Sequence, residues 1–137
     1  MSEYQIHKAA GIIIQDRQLL VERSFGKQFF IAPGGKVKAR ETPPKALIRE
    51  LREEFGIETI EEDFEPFGTY YADAAGQEHL RLREDVFMVK KWIGEVAANS
   101  EVEEIAWITS SPPEEMKIGS TLTDEIMPRL KKIGLLD

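Results

Sequence analysis

Three glutamates, Glu50, Glu53 and Glu54, have the spacing that places side chains on one face of an α-helix. Like charges at this spacing repel, at a cost of roughly a few tenths of a kcal/mol per pair, so helix stability does not explain them. Mg²⁺ and Mn²⁺ prefer hard oxygen ligands, which three carboxylates on one face supply. The pattern indicates a divalent-cation site. The alternative is a solvated acidic face that binds nothing.

The residues around these glutamates carry the start and stop signals of a helix. Thr42 can accept a hydrogen bond from a free N–H of the first turn, and Pro43 suits the first helical position, which needs no N–H. Gly56 suits the left-handed position just after a helix end. The sequence therefore predicts a helix from about Pro43 to Phe55. Its apolar face is formed by Leu47, Ile48, Leu51 and Phe55.

The whole stretch from 35 to 57 resembles a known signature. It follows a turn, Pro33-Gly34-Gly35, that allows close backbone approach to a ligand. It matches at every specified position the Nudix box, G-x5-E-x7-R-E-U-x-E-E-x-G-U, where U is aliphatic. The matching residues are Gly35, Glu41, Arg49, Glu50, Leu51, Glu53, Glu54, Gly56 and Ile57. The Trp-x-Gly-Glu run at 92–95 and the Glu-rich run into Trp107 extend the resemblance, whose finer character is MutT-like.

The resemblance implies a fold and a reaction. The fold is α+β, a Nudix-type α/β/α sandwich around a mixed β-sheet, with a catalytic loop-helix-loop at about 35–57 and a single domain over 1–137. The reaction is water attack on phosphorus, assisted by Mg²⁺ or Mn²⁺. Glu50 and Glu54 are expected to be metal ligands, and Glu53 a ligand or the catalytic base. The backbone carbonyl of Gly34 is a further candidate ligand.

Two other box residues have expected roles. The resemblance implies that Arg49 orients the catalytic carboxylate of Glu53 by an ion pair, and the alternative is a weak surface i,i+4 pair. Glu41 has either a structural or outer metal role, or it only favours the positive N-terminal end of the helix.

The family commonly adds a metal-ligating carboxylate from a later loop. By its position after the Trp-x-Gly-Glu run, Glu101 is the expected residue here, and Glu103 and Glu104 compete with it.

Substrate contacts are expected from five residues, Arg23, Gly34, Gly35, Lys36 and Asp124. Arg23 ends a predicted strand and matches a MutT-like arginine, and Lys36 follows the glycine turn of Gly34 and Gly35. Asp124 lies near the place where MutT-like chains carry an asparagine that reads a purine, although it is not an asparagine. Flat rings that could stack on a nucleobase are Phe25, Phe29, Tyr71 and Trp92.

The bulk composition bounds the function. Of the 137 residues, 42% are hydrophobic and 31% charged, an ordinary globular balance. The net charge of −7 argues against binding to a nucleic-acid polymer or an anionic membrane. The chain has no cysteine, which excludes disulfides, zinc thiolates and thiol catalysis. No membrane span or signal peptide is evident, so a cytoplasmic location is expected, and a homodimer is expected by resemblance only.

The remaining pattern predicts strands that surround the helix. They are expected at 9–14, 19–22, 29–31, 64–71, 80–90 and 105–108, the first two forming a hairpin and the fifth being central from Val86. Loops are expected at 72–78 and 97–104. A second helix is expected at 123–133, kinked or delayed by Pro128.

The sequence thus predicts a pyrophosphohydrolase. It would act on a nucleoside diphosphate linked to another group, first of all a (d)NTP or an oxidised-purine (d)NTP, and release a nucleoside monophosphate and pyrophosphate. Dinucleotide polyphosphates, ADP-ribose and nucleotide sugars are alternative substrates. An alternative of another class is a Nudix-fold sensor that binds nucleotides without turnover, which would usually have an eroded box.

Overall fold

The computed structural model describes residues 4–74 and 77–137, with side chains for all of these except 77 and 78. The strands are β1 (Ile6–Ile12), β2 (Ile14–Gln15), β3 (Gln18–Ser24), β4 (Gly34–Lys36), β5 (Phe64–Ala74), β6 (Gln77–Val89) and β7 (Val102–Ile108). The helical elements are α1 (Pro43–Phe55), a 3₁₀ turn (Glu61–Asp63), a π-helical segment (Leu122–Ile126) and α2 (Met127–Lys132).

The strands form two sheets rather than one. The larger sheet has the order β4-β1-β6-β5, in which β1 and β6 are parallel and the other pairs antiparallel. The smaller sheet is antiparallel, with the order β2-β3-β7. The predicted hairpin is confirmed by the pairing of Ile14 with Leu19, and β6 is central, as the pattern after Val86 predicts.

Alternate residues of the strands enter two separate apolar clusters. Ala10 and Val21 belong to the cluster that contains Leu130 of α2. Ala9 and Leu20 belong to the cluster that contains the apolar face of α1. Because neighbouring residues of a strand point to opposite faces, helices cover both faces. The predicted α/β/α sandwich is confirmed.

Helix α1 has the predicted bounds. The hydroxyl of Thr42 accepts a hydrogen bond from the N–H of Lys45 at 3.4 Å. Gly56 ends the helix at a φ of 70°, the left-handed conformation that glycine adopts without strain. Its first-turn and last-turn signals are local, which is why the sequence alone was sufficient to place it.

The region before α1 corrects two predictions. The expected strand at 29–31 is present only as isolated bridges, of Ile31 with Glu22 and of Phe30 with Ile118. The expected turn at Gly34 and Gly35 instead begins strand β4, which pairs with β1. The glycines can do this because an antiparallel edge strand tolerates them where backbones approach closely.

The predicted loop at 72–78 is also wrong in extent. β5 continues to Ala74 and β6 begins at Gln77, so the strands replace most of that loop. Residues 75 and 76 of this prediction lie outside the described residues. The register of β5 shifts between Pro66 and Gly68, and this bulge turns Tyr70 toward the core and leaves Tyr71 exposed.

The C-terminal helix is interrupted as expected. A π-helical segment precedes Pro128, and the regular α2 extends only to Lys132. Proline has no N–H and its ring crowds the carbonyl four residues earlier, and a wider π turn avoids that contact.

Candidate active site

Strand β4 presses directly against the acidic face of α1. A side chain at Gly35 would place its first carbon 2.5 Å from the Glu50 carboxyl carbon, so only glycine leaves room for that carboxylate. Gly34 has a φ of 146°, and a side chain there would lie 2.0 Å from the carbonyl oxygen of Ala9. The two glycines therefore allow backbone, strand and carboxylate to meet in one place.

Arg49 contacts two carboxylates at shorter distances than that of Glu53, its predicted partner. Its Nε and Nη2 donate to the two oxygens of Glu41 at 2.7 and 2.9 Å, and its Nη1 donates to Glu50 at 2.8 Å. The contact with Glu53 is 3.5 Å long. The predicted ion pair with Glu53 is therefore present, but it is longer than the bidentate pair with Glu41, which is the stronger attraction. The orienting role of Arg49 stays a prediction.

Glu41 has a structural position. Beside its pair with Arg49, its carboxylate accepts from the backbone N–H of Lys38 at 2.9 Å. Arg49 also donates to the carbonyl of Lys36 at 3.1 Å. These bonds attach the loop before α1 to the helix. The Arg49 guanidinium holds the pKa of Glu41 at about 2.

Glu22 joins the carboxylates from strand β3, and the sequence analysis missed it. Only 2% of the residue is exposed, and its Oε2 has no hydrogen-bond partner. It lies within hydrogen-bonding reach of Glu54, with Glu50 close to both. A signal was present, since Glu22 shares the strand face of the buried Leu20 and puts a charge on that apolar face.

Burial governs the protonation of this pair. Desolvation, and then repulsion by the Glu22 carboxylate, raise the pKa of Glu54 well above its usual range. Desolvation also raises the pKa of Glu22, against the opposing effects of its contact with Glu54, the Lys8 charge and the Gly34 N–H. The raised pKa values favour the protonated forms of both carboxyls, and binding of a divalent cation would compete with protonation.

Glu53 is the accessible member of the helical triad. Its side chain is 52% exposed, whereas that of Glu50 is 13% exposed and Glu54 is buried. The predicted acidic face therefore has a buried half and a half open to solvent. The loop at 97–99 caps the end of α1, with the N–H of Asn99 donating to the carbonyl of Glu54.

The residues fit a hard divalent cation by their chemistry. Two buried carboxylate oxygens, Oε2 of Glu22 and Oε2 of Glu54, have no partner, and Glu50 lies beside them. In the part of the chain that is described, no three acidic or imidazole side chains are already arranged as they would be around a metal ion. Glu50 bonds to Arg49 instead. A side-chain rotation would be needed to bring the carboxylates to a common point.

The loop carboxylates are divided between two places. Glu103 and Glu104 bind Arg23, with contacts of 2.6 and 3.1 Å to its guanidinium nitrogens. Glu101 has an exposed side chain, and its carbonyl accepts from the N–H of Phe25.

Arg23 lines an open cavity of about 360 Å³ with Lys27, Phe30 and Lys117 among its walls. The exposed rings of Phe25 and Phe29 belong to the same loop after β3. A second cavity, of about 650 Å³, is lined by Trp92, one of the candidate stacking rings, and by none of the three glutamates on the acidic face of α1.

Two predicted substrate residues lie apart from these contacts. Lys36 ends β4 with its side chain exposed. Asp124 is exposed in the π-helical segment, where its carboxylate accepts a hydrogen bond from the Thr123 hydroxyl at 3.2 Å.

Comparison with known proteins agrees with this arrangement. The NUDIX domain model matches residues 5–129. The chain belongs to the Nudix family. It is a MutT-like Nudix hydrolase, and it acts on phosphorus-containing acid anhydrides.

Relatives and solved structures extend the comparison. The chain is 37% identical over 101 residues to an 8-oxo-dGTP diphosphatase of Haemophilus influenzae, which covers 69% of this chain and 70% of the relative. It is 44% identical over 50 residues to an RNA pyrophosphohydrolase of Marinomonas, covering 35% of this chain and 31% of that protein. The MutT protein of Methanosarcina mazei has the same fold, with a TM-score of 0.74 at 19% identity over 97% of this chain and 98% of the other.

The helices were also compared with the length of a membrane span. None of those in residues 4–74 and 77–137 combines the length and apolar character needed to cross a bilayer.

Proposed function

We propose that this Nudix hydrolase is a divalent-metal-dependent pyrophosphohydrolase of nucleoside triphosphates, with a (d)NTP or an oxidised-purine (d)NTP as substrate. The observation that carries the proposal is the buried carboxylate face of α1 against the glycines of β4. The similarity to an 8-oxo-dGTP diphosphatase supports the substrate class. The products would be a nucleoside monophosphate and pyrophosphate.

The exposure of each carboxylate indicates its role: the less exposed ones would bind the metal, and the solvent-exposed one would accept a proton. Glu50 and Glu54 would hold Mg²⁺ or Mn²⁺, with the Gly34 carbonyl as a further ligand. The bound cation supplies charge neutralisation of phosphate oxygens and a lowered pKa for water. Glu53, open to solvent, would accept the proton of the attacking water. A new P–O bond forms between the water oxygen and the attacked phosphorus, and the bridging P–O bond breaks with its electrons left on the departing group, which is pyrophosphate for attack on the α-phosphorus and the nucleoside monophosphate for attack on the β-phosphorus.

Basic residues would hold the phosphate chain. Arg23 lines a cavity, and Lys36 is exposed at the end of β4. Arg23 is neutralised by Glu103 and Glu104, so a triphosphate would have to displace those carboxylates to bind it. The rings of Phe25 and Phe29 lie exposed on the same loop and offer faces for a nucleobase. Asp124 and Glu101 remain predictions for base and metal contact.

A substrate panel tests the proposal. Loss of substrate and formation of products would be measured by chromatography for the (d)NTPs, 8-oxo-dGTP, ADP-ribose, a diadenosine polyphosphate, a nucleotide sugar and a 5′-triphosphorylated oligoribonucleotide, and pyrophosphate release would be measured as well for the triphosphates. Each is run with Mg²⁺, with Mn²⁺ and with chelator. We expect metal-dependent turnover of one triphosphate class at a kcat/KM of order 10⁴ M⁻¹s⁻¹ or higher.

Arg23→Ala should raise KM for that substrate, and Arg17→Ala is its matched control, since Arg17 is also an ion-paired arginine. Turnover confined to ADP-ribose, the dinucleotide or the sugar would overturn the triphosphate assignment. Binding of Mn²⁺ and nucleotide without turnover of any member would favour the sensor instead.

A further inference from the structure

Glu22 is a buried acid that the box does not contain. It lies on β3, where its N–H and carbonyl both bond to Ile31 at 2.8 Å. These bonds fix its backbone in the strand, on the same face as Leu20, which packs in the cluster with α1. With 2% of its surface exposed, it needs a partner of positive charge or a proton.

The neighbours of Glu22 are the residues expected to hold the cation. Glu54 lies across from it within hydrogen-bonding reach, the Gly34 N–H is beside it, and Glu50 adds a further negative charge. Oε2 of Glu22 and Oε2 of Glu54 both lack a hydrogen-bond donor. A structural buried acid is normally satisfied by arginine, lysine or backbone donors, and this oxygen is not.

Among the described residues, the cation whose charge acts on Glu22 is Lys8, and it does not account for the burial of this acid. Lys8 lowers the energy of the Glu22 charge at a distance, without a hydrogen bond to it among the described contacts. Arg49 is occupied by Glu41 and Glu50. Two facing carboxylate oxygens in a place that excludes water attract either a shared proton or a hard divalent cation.

We propose that Glu22 is a further carboxylate ligand of the metal centre, supplied by β3 to the cation that Glu54 and Glu50 hold. The inference rests on the proposed metal dependence and names a ligand for the same site. Glu22 would fix the inner, buried side of the cation, while Glu53 remains on the solvent side. The carboxylate would then come from a strand, outside the loop-helix-loop.

The test measures metal affinity, not turnover. Mn²⁺ dissociation constants are determined for the whole chain by calorimetry and by the electron paramagnetic resonance signal of free Mn²⁺. The variants are Glu22→Gln, Glu22→Asp and Glu54→Gln. Glu65→Gln, an exposed strand glutamate with the same charge loss, is the matched control. Circular dichroism verifies that each variant is folded.

We expect Glu22→Gln to weaken Mn²⁺ binding at least tenfold, Glu22→Asp to weaken it less, and Glu65→Gln to leave it within twofold. The double variant Glu22→Gln/Glu54→Gln should lose less than the sum of the single losses on a logarithmic scale, because both act on one ion. If Glu22→Gln fails to fold, the Glu22→Asp affinity decides the same question.

The outcomes separate the two claims. Mn²⁺ affinity within twofold of the parent in Glu22→Gln, together with a large loss in Glu54→Gln, would overturn Glu22 as a ligand and leave a proton-sharing pair. Unchanged affinity in both variants would overturn the metal centre of the proposed function itself.

Discussion

At the scale of single residues, Arg49 organises the site through the shape of its guanidinium. It contacts three carboxylates and one carbonyl at once, and its side chain is only 20% exposed. A lysine carries the same charge but has no planar guanidinium, so it cannot hold the same set of acceptors. Arg49 therefore lies in closer contact with Glu50 and with the loop than with Glu53.

Replacing Arg49 by lysine tests this role. We expect Arg49→Lys to lower kcat by about tenfold to a hundredfold and to lower the melting temperature, because Glu41 and Glu50 lose their fixed partner. Arg52→Lys is the matched control on the same helix, since Arg52 makes a similar bidentate contact with the exposed Glu58. Equal kinetic losses in both variants would argue against a special position for Arg49.

Replacing Glu53 by glutamine tests the proton acceptor. We expect Glu53→Gln to fold normally, because the side chain is half exposed, and to lose about 10²–10⁴ in kcat, the usual size of a general-base contribution. Turnover is measured on the substrate found in the panel, with circular dichroism as the folding control. Near-normal turnover would remove Glu53 from the reaction.

Glu41 gives the stability of the fold a dependence on acid. Its pKa is held at about 2 by Arg49, below the ordinary value of 4.5. A group with a lowered pKa in the folded state contributes stability that is present above pH 4.5 and is lost as pH falls toward 2. Urea unfolding at pH 2 to 6 should show a difference of about 1 kcal/mol between parent and Glu41→Gln above pH 4.5. That difference should vanish near pH 2, and a constant difference would contradict the assignment.

At the scale of elements, the contact of β4 with α1 creates the site. The added carbon of an alanine at Gly35 would meet the Glu50 carboxylate, a movable group, whereas at Gly34 it would meet fixed backbone. The two glycines therefore differ in what their replacement disturbs.

Alanine substitutions separate these effects. We expect Gly35→Ala to melt within a few degrees of the parent and to lose at least tenfold in Mn²⁺ affinity and in kcat, because Glu50 is displaced. Gly34→Ala should fold poorly or not at all. Gly26→Ala is the control, since it has a positive φ but no atom within 4 Å of the added carbon. An active Gly35→Ala protein with parent affinity would show that the displaced Glu50 is dispensable.

The sequence predicted those elements whose signals are local. Thr42, Pro43 and Gly56 define α1 without reference to the rest of the chain. Strand β4 could not be predicted in this way because it exists through pairing with β1, far away in sequence. The bulge in β5 was not predicted either, because a one-residue shift in the pairing of β5 with β6 leaves the composition of the strand unchanged.

The candidate site likewise has one part with local sequence signals and another part that depends on the fold. The types and spacing of Glu50, Glu53 and Glu54 are visible in the sequence. The carboxylate that lies closest to the Arg49 guanidinium depends on the geometry of the folded chain, which the sequence does not show. Glu22 was not predicted as a site residue, because its position beside the α1 glutamates depends on the packing of β3 against α1.

At the scale of the whole molecule, the proposed metal centre predicts that a divalent cation stabilises the folded chain. A cation that binds only the folded chain stabilises it by RT ln(1 + [L]/Kd), about 2.7 kcal/mol at a hundredfold excess over Kd. We expect the melting temperature to rise by several degrees with Mg²⁺ or Mn²⁺ and to fall back with chelator. NaCl at equal ionic strength should not reproduce the rise, and Glu54→Gln should largely lose it. Equal rises with NaCl would indicate screening alone.

The facing carboxylates of Glu22 and Glu54 also bear on how this protein can be engineered. A selection scheme that rewards only thermal tolerance would favour amides at these positions, because they remove repulsion between buried acids. The selected variants would have a higher melting temperature and no catalytic activity. Directed evolution of this scaffold should therefore score turnover and heat resistance together in every round.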